Sequence, residues 1–99
     1  MIGTFQAALR IEASHPALAG HFPGDPVVPG VVLLERVAAA CRTWRGVRVA
    51  SLDAKFLQPL RPEQDATIVL EGQDGRIRFS VARADGTAVA RGTLETAQD

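Results

Sequence analysis

The segment 30–45, GVVLLERVAAACRTWR, constrains this chain more than any other stretch. Val31, Val32, Leu33, Leu34, Val37, Ala38, Ala39, Ala40, Cys41 and Trp44 fall on nearly every side of a helical turn. The run is too long for a strand, and its alanine-rich second half favours a helix. A helix apolar almost all round has to be buried on most sides. In a chain of 99 residues the rest of the molecule must wrap around it, and a partner subunit would help, because small chains bury a modest share of their surface.

The remainder supplies strands. Residues 4–13, TFQAALRIEA, alternate: Phe5, Ala7, Leu9 and Ile11 on one face, Gln6, Ala8, Arg10 and Glu12 on the other. After Gly46, residues 47–60 read as one long extended segment ended by Pro59 and Pro62. Segments 66–71, 76–84 and 87–95 follow, separated by Asp74-Gly75 and Asp85-Gly86. An Asp-Gly pair between alternating runs is a strong hairpin signal, because the turn needs positive φ. The order is strand, long loop, helix, then an antiparallel meander. With no alternation of strand and helix, this is α+β: one antiparallel sheet around one long central helix, in a single domain over 1–99.

Composition narrows the function. Eleven basic residues balance eleven acidic ones, which argues against a nucleic-acid partner. Cys41 is the lone cysteine, so neither a disulfide framework nor a cysteine-based metal site is expected, and its apolar surroundings predict a buried structural thiol. No stretch approaches the roughly 20 apolar residues of a membrane span, and the N-terminus lacks the basic and apolar regions of a signal peptide. A cytoplasmic soluble domain without a membrane partner is expected.

Chemistry concentrates in 20–35, GHFPGDPVVPGVVLLE. Loop 14–30 carries Pro16, Pro23, Pro26 and Pro29. Long loops inside compact domains are usually functional or disordered, and this many prolines favour a shaped one. No Ser, Thr, Asp or Asn stands at the helix start, so the first amides lack an evident cap. Gly30 there lets something approach the backbone closely. A ligand oxygen on the Gly30 and Val31 amides is one candidate; a water or a loop carbonyl is the other. Glu35 has only Val31, Val32, Ala38 and Ala39 one turn away on its helix, so an acid kept neutral by apolar surroundings is expected. An arginine from elsewhere in the fold is the structural alternative. His21, between Gly20 and Phe22, is a base available at neutral pH.

This stretch resembles the signature of the β-hydroxyacyl-ACP dehydratases, hot-dog-fold enzymes that typically read GHFPGxPxxPGVLxxE. His21, Phe22, Pro23, Gly24, Pro26, Pro29, Gly30 and Glu35 fall in register. AKFLQPLRPEQD, at 54–65, is similar to the family's KFxxPVxPGDxL. The short helix-to-strand connection, Arg36 in place of a small residue and Ala39 in place of a glutamine resemble the short aryl-polyene-type dehydratases.

The resemblance implies a hot-dog homodimer with a site shared across the interface, acting on an acyl carrier protein that bears a 3-hydroxyacyl chain. His21 would take the α-proton, Glu35 of the partner subunit would protonate the departing hydroxyl, and the Gly30 amide would hold the thioester oxygen. Phe22, Pro23, Val31, Leu34 and Phe56 are candidate substrate-binding residues, and no cofactor or metal is required. A hot-dog acyl thioesterase using Glu35 to activate water is the alternative enzyme. A non-catalytic acyl or carrier-protein binder is the third reading.

Overall fold

The computed structural model describes residues 3–18, 24, 26–73 and 75–97. Strand β1 (Gly3–Leu9) is followed by a 3-10 turn at Pro16–Leu18, helix α1 (Gly30–Arg45), then β2 (Val49–Phe56), β3 (Ala66–Gln73), β4 (Arg76–Arg83) and β5 (Ala88–Thr96). The strands form one antiparallel sheet in the order β1-β3-β4-β5-β2. Its inner face is period-two in origin: Ile68 and Leu70 from β3, Ile77, Phe79 and Val81 from β4, and Leu94 from β5 are all buried. Against them α1 lays Val32, Leu33, Val37, Ala40 and Cys41. Burying each of the larger side chains stabilises the fold by roughly 1.5–3 kcal/mol.

Two expectations are corrected. The strands after the helix are not one continuous meander: β3, β4 and β5 are, but β2 pairs with β5 at the far edge and is not a sheet neighbour of β3. The segment between β2 and β3 crosses the molecule. Leu57 N–H still donates to Val89 O on the β5 side (2.8 Å), whereas Glu63 N–H donates to Ile11 O just beyond β1 (2.8 Å). Pro59 and Pro62 lie in that crossing and cannot donate to a ladder.

The second correction concerns the helix. One side of α1 packs on the sheet, but Val31, Glu35, Arg36, Arg42 and Thr43 are exposed and Leu34 and Ala38 are half-buried. A single sheet covers one side of a helix, and within this chain nothing described covers the other. The helix range agrees with the sequence reading, β1 stops at Leu9, short of residue 13, and β2 is shorter than 47–60.

The C-terminal end of α1 is anchored. Trp44 stacks on Phe5 with ring centroids 6.0 Å apart. The Arg45 guanidinium lies 3.9 Å from the Trp44 ring and donates to Gly72 O at 2.9 Å. This pins the helix to β1 and β3 and thereby aims its other end, Gly30, at the opposite end of the sheet. No helix among the described residues is long and apolar enough to cross a membrane.

Candidate active site

Among the described residues no side chain caps the tip of α1. Pro29 is the N-cap residue, in extended conformation and without a side-chain cap. Its carbonyl accepts from Val32 N–H at 3.0 Å and Leu33 N–H at 3.3 Å. The Gly30 and Val31 amides donate to no described residue. Among the described residues nothing takes them up, and an acceptor placed there would be aided by the positive end of the helix dipole. Beside this tip opens an apolar cleft of about 380 Å³, walled by Val28, Pro29, Gly30, Leu33, Phe56 and Leu60. Its floor is held by a hydrogen bond from Val28 N–H to Leu60 O, 2.8 Å.

Gly30 is required by a close approach, and the approaching group is the Phe56 ring. A Cβ at position 30 would come within 2.7 Å of Phe56 Cζ and 3.1 Å of both Cε atoms. The ring is nevertheless 51% exposed, so it forms one lip of the cleft and is not core.

Glu35 lies on the other side of the same helix turn, in a separate groove of about 280 Å³ with Val31, Leu34, Ala38, Ser51 and Leu52. The structural alternative, an arginine partner, is not seen: Glu35 makes no ion pair among the described residues. The expected burial is absent too, since the carboxylate is exposed in one copy of the chain. Apolar neighbours on its own helix do not bury a side chain when that helix face is uncovered.

The candidate residues thus divide between two places. Gly30 and Phe56 share the cleft, while Val31, Leu34 and Glu35 share the groove. His21, Phe22 and Pro23 lie outside the described residues. Sequence reasoning missed Leu52 and Ser51 as groove walls and Val28 and Leu60 as cleft walls. The alternation along β2 carried a signal for Leu52, which falls on the inner face with Ala54 and Phe56. Leu60, between two prolines near the end of a presumed strand, carried none.

The ApeI-like family, described as ApeI dehydratase, matches residues 3–93 of this chain. The chain belongs to the ApeI-like dehydratase family. Among curated relatives, the 3-hydroxyacyl-(acyl-carrier-protein) dehydratase FabZ of Pasteurella multocida (strain Pm70) is 32% identical over 108 residues, covering 94% of this chain and 71% of that protein. The FabZ of Gluconacetobacter diazotrophicus is 33% identical over 101 residues, covering 86% of this chain and 63% of that protein. Among solved structures, the dehydratase heterocomplex ApeI:P from Xenorhabdus doucetiae superposes with a TM-score of 0.81 at 21% identity, covering 96% of this chain and 88% of that one. At that identity the superposition carries the fold, and the hot-dog architecture expected from the signature is borne out. The family and its relatives make this ApeI-like chain a dehydratase of fatty acid or specialised acyl-chain biosynthesis.

Proposed function

We propose that this ApeI-like dehydratase converts a (3R)-hydroxyacyl chain, held as a thioester on acyl carrier protein, into the trans-2-enoyl thioester in the cytoplasm. The observation that carries the reading is the uncapped α1 tip opening onto an apolar cleft, in a chain whose loop carries the dehydratase signature. The thioester oxygen accepts from the Gly30 amide, which stabilises the enolate-like charge that builds there. The His21 imidazole takes a proton from C2, and the electron pair of that C–H bond becomes the C2–C3 π bond. The C3–O bond breaks with its electrons on oxygen, and Glu35 protonates that oxygen so that water leaves. The acyl chain extends along the apolar walls of Leu33, Phe56 and Leu60.

The acid comes from a second copy of the chain. In one copy Glu35 and the Gly30 cleft are separated by the helix turn between them, and Glu35 is exposed. Covering that groove with another copy would withdraw the carboxyl from water and favour its proton-donating form. The deciding experiment is incubation with 3-hydroxyacyl carrier protein, with His21→Ala and Glu35→Gln as controls. Enoyl product that disappears in both variants supports the reading. Free acid without enoyl product overturns it in favour of thioester hydrolysis.

A further inference from the structure

We propose that Glu63 is a positioning residue of the site: its carboxylate clips the base of the signature loop to the segment that crosses the fold, so that the stretch carrying His21 starts from a fixed point. The inference rests on the dehydration proposed above for its catalytic meaning.

Residues 57–65 form a strut tied at both ends. Leu57 N–H donates to Val89 O of β5 at 2.8 Å, and Ala84 N–H, just beyond β4, donates to Asp65 O at 3.0 Å. Arg83 Nη1 adds a bond to Pro59 O, 3.3 Å. The strut in turn holds both ends of the loop between β1 and α1. At the helix end Val28 N–H donates to Leu60 O, and at the strand end Glu63 N–H donates to Ile11 O. Both ends of the loop are therefore gripped by one short piece of chain.

Glu63 does more than its backbone requires. Its φ of 66 lies in the left-handed region, which is unfavourable for any residue with a Cβ, and the similar dehydratase motif has glycine there. The turn that presents it is closed in both directions: Arg61 N–H donates to Gln64 Oε1 at 2.8 Å, and Gln64 N–H to Arg61 O at 3.3 Å. A strained conformation persists where its surroundings over-determine it, and it points to a task at that position. The task visible here is the bond from Ala13 N–H to Glu63 Oε2, 2.8 Å. With the bond from Glu63 N–H to Ile11 O, it makes a reciprocal clip on the loop base. Glycine at 63 would keep the backbone half of that clip and lose the other.

The Arg10 ion pair does not account for the strain. Arg10 pairs with Glu63 at 3.0 Å and with Asp65 at 3.3 Å, but all three side chains are largely exposed, and such pairs contribute little. Ala13, by contrast, opens a run of local bonds. His15 N–H donates to Glu12 O at 3.0 Å and Leu18 N–H to His15 O at 3.0 Å, while Ala17 N–H donates to His15 Nδ1 at 3.1 Å. Leu18 is buried in the core and stands three residues before His21. Fixing the Ala13 amide thus fixes the start of a bonded run that ends just ahead of the base in sequence. Misplacing a reacting group by about 1 Å can cost up to about a hundredfold in rate, which is how a remote clip reaches turnover.

The test uses the full chain and three variants: Glu63→Gly, Glu63→Gln and Arg10→Gln. Each is followed by steady-state dehydration of 3-hydroxyacyl carrier protein, thermal melting and amide hydrogen exchange. Glu63→Gly relieves the strain but removes the acceptor, so it should melt no lower than Glu63→Gln while turning over more slowly. Its kcat should fall about tenfold with KM within about twofold. Glu63→Gln keeps an acceptor for Ala13 and Arg10→Gln keeps the carboxylate, so both should hold kcat within about threefold. Exchange of the Ala13 amide should quicken about tenfold in Glu63→Gly and stay near wild type in the other two. Activity that follows melting temperature across the three variants assigns Glu63 to stability alone and overturns the proposal. So does Glu63→Gly with wild-type kcat, or Ala13 exchange that Glu63→Gly leaves unchanged. A wild-type chain that yields no enoyl product sinks the reaction assigned above, and Ala13 exchange, which needs no turnover, then decides whether the clip stands.

Discussion

The para edge of the Phe56 ring occupies the space where a Gly30 Cβ would stand. An edge strand and a helix tip are locked together at the point where the proposed reaction holds its oxygen. Gly30→Ala must move the ring or the helix. The expected result is a loss of about 1–3 kcal/mol in stability and a fall of about tenfold or more in kcat/KM. Because the obstacle is a side chain, Phe56→Ala in the same molecule should relieve the strain. A double-mutant cycle by urea denaturation checks this, and strict additivity would count against the contact.

Gly92 meets backbone where Gly30 meets a ring. A Cβ there would collide with the Asp53 carbonyl oxygen, and a main-chain group in a ladder has nowhere to go. Gly92→Ala is expected to cost more than about 3 kcal/mol or to detach β2 from β5. Hydrogen exchange that stays protected in β3 and β4 but is lost in β2 would identify the detachment.

Trp44 anchors the far end of α1. Replacing it with alanine removes the stack on Phe5 and the surface under Arg45. The indole is only partly buried, so the loss should be about 2–3 kcal/mol, at or below the lower end for large aromatics. A thermal melt measures it.

Glu63 couples the crossing segment to β1. It sits at φ 66, in a conformation that side chains seldom adopt, where the similar dehydratase motif has glycine. Its carboxylate accepts from Ala13 N–H at 2.8 Å and from Arg10 at 3.0 Å. The Ala13 amide first, and Arg10 next, hold its pKa below the ordinary 4.5. A carboxyl depressed by folding adds stability above the unfolded pKa and loses it as pH falls through the folded value. Glu63→Gln is therefore expected to melt below wild type at pH 7, with the gap closing only below pH 4.5. A gap unchanged into that acid range would assign the effect to geometry and not to charge.

Glu35 carries the opposite expectation. Glu35→Gln keeps shape and removes the transferable proton, so turnover should fall by about 10²–10⁴. Stability of the isolated chain should change by less than about 0.5 kcal/mol, because the residue is exposed and unpaired among the described residues.

Much of this protein was legible along the chain. The helix at 30–45 was, because its apolar run is longer than any strand and its boundaries carry Pro29 and Gly46. So were the β3–β4–β5 hairpins, since Asp-Gly turns and alternation are local signals; at the second turn Thr87 N–H donates to Asp85 Oδ1 at 2.8 Å. The missing cap at Gly30 was legible for the same reason. Arg45 is committed to the Trp44 ring and the Gly72 carbonyl, partners that only the fold brings to it.

What no local pattern could decide was distance across the sheet. Whether β2 lies beside β3 or beside β5, which group fills the space above Gly30, and whether Glu35 is covered all depend on where a proline-broken segment crosses the fold. Periodicity reports which face of an element is apolar, because it is set by the backbone repeat. It does not report what that face meets, because burial is a property of surfaces brought together, and here one of those surfaces is left open by the chain that carries it.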